Sequence, residues 1–273
     1  MSKASQHIDE RLVGVDMDEV QVLPFLGGEV AFFTHRLPDK STINEDALGI
    51  FALSEHQGVL IVADGCGGMQ SGEVASAIVV EKVGQALASA NPIDSLRSAI
   101  LNALEDANKA ILALGTGAAT TVLVVEVDKS KVRIIHAGDS QALLIGGRGK
   151  LKLQSVPHSP VGYAVEAGMM DEQEAIEHKE RHLVSNIVGS KSTHFEVGSP
   201  CNMAQRDILI LASDGILDNF LEAEMTQLVR QGTIREATEN LVNIAQERMH
   251  DASNNLPSKP DDIALILFRQ HTT

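Results

Sequence analysis

Two hydrophobic periods take turns along this chain. Short runs of mostly β-branched residues, bounded by turn formers, predict strands at 47–53, 58–63, 120–127, 132–136, 142–145, 207–213 and 263–268. Residues 20–33 hold two more such stretches around Gly27-Gly28 and are expected to form a hairpin. Helical spacing replaces the alternation at Val74, Ala75, Ile78, Val79, Val83, Ala86 and Leu87, and again at Leu96, Ile100, Leu104, Ala107, Ile111 and Leu114. Ser71 and Asp94 are candidate N-caps of these two helices, and Gly115 is the stop of the second. Capping-box patterns at Asn219-x-x-Glu222 and Thr233-x-x-Glu236 open a second pair, the latter with Ile234, Ala237, Leu241, Ile244 and Met249 on one face.

Helices that come in consecutive pairs between antiparallel meanders predict an α+β sandwich rather than a parallel doubly wound sheet. Residues 155–193 read as an irregular surface segment with one short helical piece at 172–178, the kind of segment that supplies substrate contacts. No linker divides the 273 residues, which suffice for one substantial core. Residues 1–20 are expected to form an N-terminal extension, the first ten a loose tail, and 21–270 a single domain.

The formal charge of −15 disfavours nucleic acid and anionic membranes as partners. Bilayer spanning is disfavoured too, since no apolar run approaches the roughly 18 to 20 residues it requires. The first ten residues lack the apolar centre of a secretory signal, and the only two cysteines, Cys66 and Cys201, lie far apart in different contexts. A cytoplasmic protein is the expectation, and nothing in the sequence forces a dimer.

The acidic residues are placed with purpose. Glu45, Asp46, Asp64, Asp139, Asp214, Asp261 and Asp262 all lie where an apolar run begins or stops, positions that a packed sheet can bring together. Asp64-Gly65 ends one strand and opens a loop rich in glycine (Gly65, Gly67, Gly68, Gly72), where missing Cβ atoms permit close approach to an ion or phosphate. Asp214-Gly215 repeats the pattern at the end of a later strand. Converging carboxylates need cations to offset their repulsion, and an all-oxygen donor set selects hard ions such as Mg²⁺ or Mn²⁺ rather than Zn²⁺. His178 and His182 share i, i+4 spacing but flank charged residues and read as a solvated turn; the other histidines are scattered along the sequence.

Five motifs in order, Asn44-Glu45-Asp46, Asp64-Gly65-x-Gly67-Gly68, Gly138-Asp139-Ser140, Ser213-Asp214-Gly215 and Asp261-Asp262, resemble those of PPM-type, protein phosphatase 2C-like serine/threonine phosphatases of the bacterial kind. The resemblance covers about residues 30–269 and implies a four-layer α-β-β-α sandwich, two antiparallel sheets flanked by helix pairs. It also implies two Mn²⁺ or Mg²⁺ ions and hydrolysis of phosphoserine or phosphothreonine in proteins by a water activated between them. Carried over, Asp64 would bridge the two ions, the Gly65 carbonyl would bind one, and Asp214 and Asp261 the other. Glu45 and Asp46 would hold waters on the metals, and Asp139 with Asp214 a possible third ion. The implied partner is a phosphoprotein, with a Ser/Thr kinase opposing the enzyme.

The sequence departs from the family pattern in four places. Ser41 stands where the family usually has a phosphate-gripping arginine, which leaves Arg36, Lys40 or Arg181 as substitutes. Lys40 would point to the opposite face if its segment is extended. Gln141 follows Gly138-Asp139-Ser140 in place of arginine, and Asp262 replaces the usual Asn, with Asp261 still the aligned ligand. Cys66 occupies the position of a family histidine; it reads as a small, partly buried loop residue ahead of a redox-sensitive thiol. Two other readings stay open: a phosphatase-like regulatory or binding module with little turnover, and a small-molecule phosphomonoesterase on the same fold.

Overall fold

Alternation along two neighbouring strands fixes the layering. β4 (Asp46–Ala52) and β5 (Gln57–Asp64) pair antiparallel, with Asp46 opposite Asp64. Leu48, Ile50, Leu60 and Val62 enter one hydrophobic cluster, while Ala47, Phe51, Val59, Ile61 and Ala63 enter another. Both faces are therefore covered, and the strands read as continuous apolar runs. Asp46 and Asp64 continue the first series, so both carboxylates emerge at the open end of the layer between the sheets.

The structure, a computed structural model, describes residues 7–66, 71–89, 95–250 and 256–271. One sheet runs β1 (Ile8–Val13), β4, β5, β6 (Val122–Asp128), β7 (Lys131–Ala137) and β10 (Glu196–Val197), with β11 (Cys201–Asn202) also on β7. The other runs β2 (Gln21–Phe25), β3 (Gly28–His35), β13 (Ile263–Gln270), β12 (Ile208–Ala212), β8 (Gln141–Ile145) and β9 (Leu151–Gln154). All the pairings are antiparallel. α1 (Gly72–Ser89) and α2 (Leu96–Leu114) cover the first sheet through Val79, Val83, Ile100, Leu104 and Ile111. α6 (Glu222–Val229) and α7 (Ile234–His250) cover the second through Met225, Ala237 and Leu241. The α+β four-layer sandwich expected from the sequence is the observed architecture.

Several local expectations need correction. Ile8–Val13, placed in an N-terminal extension, is an edge strand paired with β4 from Ile8↔Ala52 to Val13↔Ala47. Its alternation is masked because Arg11 lies between the sheet and α1, over Phe51 and paired with Asp9 and Glu81. The β2–β3 turn falls on Leu26-Gly27, both at positive φ, one residue before the expected pair. Ser71 has φ +73° rather than the extended backbone of an N-cap, and Asp94 lies outside the described residues. α2 is capped by Ser95, whose Oγ accepts from the Ser98 N–H at 3.1 Å, and it stops at left-handed Gly115. Thr233 and Glu236 do form the expected capping box. Asn219 caps nothing: α6 begins after Leu221 without a side-chain cap, and a one-turn helix, α5 (Asp214–Leu217), precedes it. The 155–193 segment carries α4 (Glu172–Glu177) as expected and also α3 (Pro160–Glu166), too short to show a period.

Candidate metal centre

Asp64 is held by its main chain. Its N–H donates to Thr121 Oγ1 at 3.1 Å, and its carbonyl accepts from the Thr121 N–H and Thr120 Oγ1, each at 2.8 Å. The next residue must be glycine because three backbones meet there. A Cβ on Gly65 would lie 2.5 Å from the Gly72 carbonyl and 2.7 Å from that of Glu45, which already accepts the Gly65 N–H. Glu45 and Asp46 are thus locked against the start of α1 and the exit of β5. Gly67 and Gly68, the rest of the glycine motif, lie outside the described residues.

Four other carboxylates converge on this end of the sandwich. Ser213 closes β12 and donates its hydroxyl to Asp46 Oδ2 at 2.7 Å, so Asp214 starts α5 beside Asp46. Asp218 follows one turn later. A Cβ on Gly215 would come within 1.9 Å of the Asp262 carbonyl, which shows how tightly α5 abuts the segment that carries Asp261 into β13. Asp139 sits between β7 and β8, after Gly138 at φ +120°, where any Cβ would strike Thr121. The Ser140 and Thr121 hydroxyls, 2.8 Å apart, tie that loop to the strand beside Asp64.

The electrostatics show that this cluster is only partly compensated. Burial, reinforced by neighbouring carboxylates, pushes Asp46 and Asp64 well above the usual carboxylate range. Asp139 is raised to about 7 and Asp218 to about 6, each by burial first and Asp214 second. Asp261, on the rim with 42% of its side chain exposed, also moves upward through desolvation of its inner side and the charge of Asp214. Asp214 Oδ1 is buried with no hydrogen-bond partner. An orphaned carboxylate oxygen among raised acids, with further carboxylate and main-chain oxygens around it, is chemistry that suits a hard divalent cation.

Two lysines partly neutralise the cluster, and the sequence reading gave neither this role. Lys259 Nζ contacts Asp214 Oδ2 and lies 3.2 Å from Asp261 and 3.7 Å from Asp218. Lys40 Nζ bridges Glu45 and Asp262, each at 2.7 Å. Lys40 faces inward because residues 38–40 turn, with Asp39 at φ +65°, so the alternation expected of an extended segment does not apply. Asp262 is wholly engaged, accepting from the Leu37 and Glu45 N–H groups and from Lys40. Asp218 was legible in principle, being four residues beyond Asp214 on a helical turn; Lys259 had no motif to announce it.

The three phosphate-anchor candidates separate. Arg36 is turned away, paired with Asp16 at 3.0 Å and donating to the Thr42 carbonyl. Lys40 is committed to two carboxylates. Arg181, held by the Ile176 and Ser258 carbonyls, lines a cavity of about 260 Å³ together with Asp139, Asp214 and Asp218. For Cys66, burial and then Asp64 push the thiol above its ordinary value, which opposes the reactive thiolate and fits a structural loop residue.

Histidines distant in sequence do assemble. His136, His158 and Glu196 form the one group among the described residues whose candidate ligand atoms all lie within 4.8 Å of one another; the acidic cluster is more open, with Lys259 in part of the opening. Hydrogen bonding argues against a metal at the histidines. His158 Nδ1 accepts from the Gly138 N–H and from Asn186 Nδ2, so its proton sits on Nε2 and is donated to Glu196 at 3.2 Å. His158 also donates its own N–H to the Gly138 carbonyl. It therefore positions the loop that presents Asp139.

Comparison with known proteins identifies the family and the fold. The profile of the protein phosphatase 2C family matches residues 38–254. The protein phosphatase PhpP of Streptococcus pneumoniae is 28% identical over 214 residues, covering 76% of this chain and 87% of that protein. A serine/threonine phosphatase from Staphylococcus aureus superposes with a TM-score of 0.77 at 26% identity, over 92% of this chain and 98% of that one. The catalytic domain of the serine/threonine phosphatase PstP, solved with two manganese ions, shares the fold, with a TM-score of 0.70 at 21% identity over 89% of this chain and 98% of its own.

Proposed function

Because the chain belongs to the protein phosphatase 2C family, we propose that it hydrolyses phosphoserine and phosphothreonine in proteins, using Mn²⁺ or Mg²⁺ held by the carboxylates at the open end of the sandwich. The observation that carries this reading is the buried, unpartnered Oδ1 of Asp214 in a cluster whose acids are raised by burial and mutual repulsion. Asp64, the Gly65 carbonyl, Asp214 and Asp261 would hold two ions, as the family's motifs place them. When bound, those ions supply the charge that neutralises the phosphoryl oxygens and activates the attacking water.

The chain's own residues do the positioning. Thr120 and Thr121 fix the main chain of Asp64, and Ser213 orients Asp46. Glu45, steadied by Lys40, and Asp46 present carboxylates that accept hydrogen bonds from water and orient it for in-line attack. Arg181 is our choice for the phosphoryl anchor, since Arg36 and Lys40 are paired with carboxylates whereas Arg181 is held by carbonyls that leave its charge available; it reaches the cavity from the segment covering the site. The substrate is then a phosphoprotein opposed by a Ser/Thr kinase. We place the enzyme in the cytoplasm as a monomer; among the described residues no helix is long and apolar enough to cross a membrane.

The test is hydrolysis of a phosphothreonine peptide and of a phenyl phosphate ester, with and without Mn²⁺, by wild type, Asp64→Asn and Arg181→Ala. Metal-dependent turnover of the peptide that Asp64→Asn abolishes, with KM raised in Arg181→Ala, is expected. Equal rates in wild type and Asp64→Asn would overturn the reading, and turnover of the ester alone would redirect it to small molecules.

A further inference from the structure

Lys259 is the feature of the site that the family reading leaves unexplained. Its side chain is only 14% exposed and its ammonium touches Asp214, with Asp261 and Asp218 at 3.2 and 3.7 Å. Its placement is built rather than incidental, because Asn219 grips its main chain from both sides. Asn219 Oδ1 accepts the Lys259 N–H at 3.0 Å, and Asn219 Nδ2 donates to the Lys259 carbonyl at 2.9 Å and to that of Gly215 at 2.8 Å. Asn219 is itself fully buried, and Pro260 stiffens the next residue. The expected helix cap is thus spent on holding the lysine against α5.

Asp139, Asp214 and Asp218 all face this ammonium electrostatically. They are the oxygens that a cation beyond the first two would need. A divalent ion there and a lysine ammonium compete for the same oxygens, and the repulsion of like charges at that range in a partly buried site disfavours holding both. Asp214 can serve both arrangements, since Oδ2 meets Lys259 while Oδ1 is unpartnered; Asp261 gives Oδ1 to the Asp262 N–H, and its Oδ2, at 3.2 Å a looser contact of Lys259 than Asp214, is the oxygen a second ion would take over.

Resting on the metal-dependent reading above, we propose that Lys259 is a built-in substitute for a third divalent cation, its ammonium occupying the Asp139–Asp214–Asp218 side of the centre. The chain accordingly binds one ion fewer than its carboxylates could hold.

Equilibrium dialysis against Mn²⁺, with ions per chain counted by elemental analysis, tests this without reference to turnover. Lys259→Met is expected to take up one Mn²⁺ more per chain than wild type, Lys259→Arg the same number as wild type, and Lys259→Met/Asp218→Asn to lose the extra ion. Lys259→Gln, neutral but able to hydrogen-bond Asp218, carries the same expectation should the methionine variant fail to fold. Equal stoichiometry and affinity in wild type and both neutral variants would overturn the substitution alone. No Mn²⁺ uptake by any of them would overturn it together with the metal-dependent reading.

Discussion

The chain leaves a strand through Asp-Gly twice, and the two exits differ in how their charge is met. At both, the glycine is dictated by backbone crowding: Gly65 against Gly72 and Glu45, Gly215 against Asp262. At both, the aspartate sits at the open end of the inter-sheet layer. Asp64 has its main chain fixed by two threonines and its half-buried side chain surrounded by like charges. Asp214 has an internal cation, Lys259, on one oxygen and nothing on the other. The same dipeptide therefore builds a place that only an external cation can neutralise and a place already half-neutralised from within. Local sequence sets the geometry of each, and distant charge sets the difference.

The comparison can be broken in several ways. The largest effect is expected on turnover: Asp64→Asn should lower Mn²⁺-dependent hydrolysis of a phosphothreonine peptide by more than about 100-fold, beyond the range seen when a residue merely positions a ligand. Without divalent cations the two aspartates should diverge in thermal melts. Asp214→Asn leaves Lys259 short of its closest partner and should cost about 3 kcal/mol, whereas Asp64→Asn relieves repulsion and should raise the melting temperature. Gly215→Ala should destabilise by about 1–3 kcal/mol, and by more than Gly65→Ala, because its Cβ meets an immovable carbonyl at 1.9 Å.

The pH dependence follows from Asp139 and Asp218, raised to about 7 and about 6 from an ordinary value of 3.8. Between pH 4 and 7 the folded chain then binds protons that the unfolded chain has released. Stability of the metal-free protein should be full below about pH 4 as far as these groups are concerned, and should fall as pH rises through 6 to 7. Melts in a chelator across pH 4.5–8 check this, and Asp139→Asn should flatten the slope. The smallest effect is a control away from both exits: Ser95→Ala should cost about 1 kcal/mol through loss of the α2 cap while leaving metal dependence unchanged.

Much of this molecule was legible before its structure. The short apolar runs told where β4 and β5 lie, and the acids at strand ends told where chemistry would gather. Short or unpatterned elements were not legible. Ile8–Val13 pairs as a strand because β4 offers an open edge, and α3 has too few residues to reveal a period. Asn219 looked like a helix cap, since Asn three residues before Glu is the local signature, but a buried partner outcompeted the helix terminus. His136, His158 and His194 gathered because β7 and the loops around it fold together, a juxtaposition that spacing along the chain cannot express.

The sequence by itself determined the layered sandwich and the set of carboxylates at its rim, because short apolar runs, helical spacing and strand-end placement are properties of short stretches read one at a time. Only the tertiary structure decided how their charge is shared, turning Arg36 out to Asp16, bringing Lys40 in to Asp262 and setting Lys259 among Asp214, Asp218 and Asp261. Coulomb interaction depends on distance through space and on the depth of burial, and neither is written in the order of the residues.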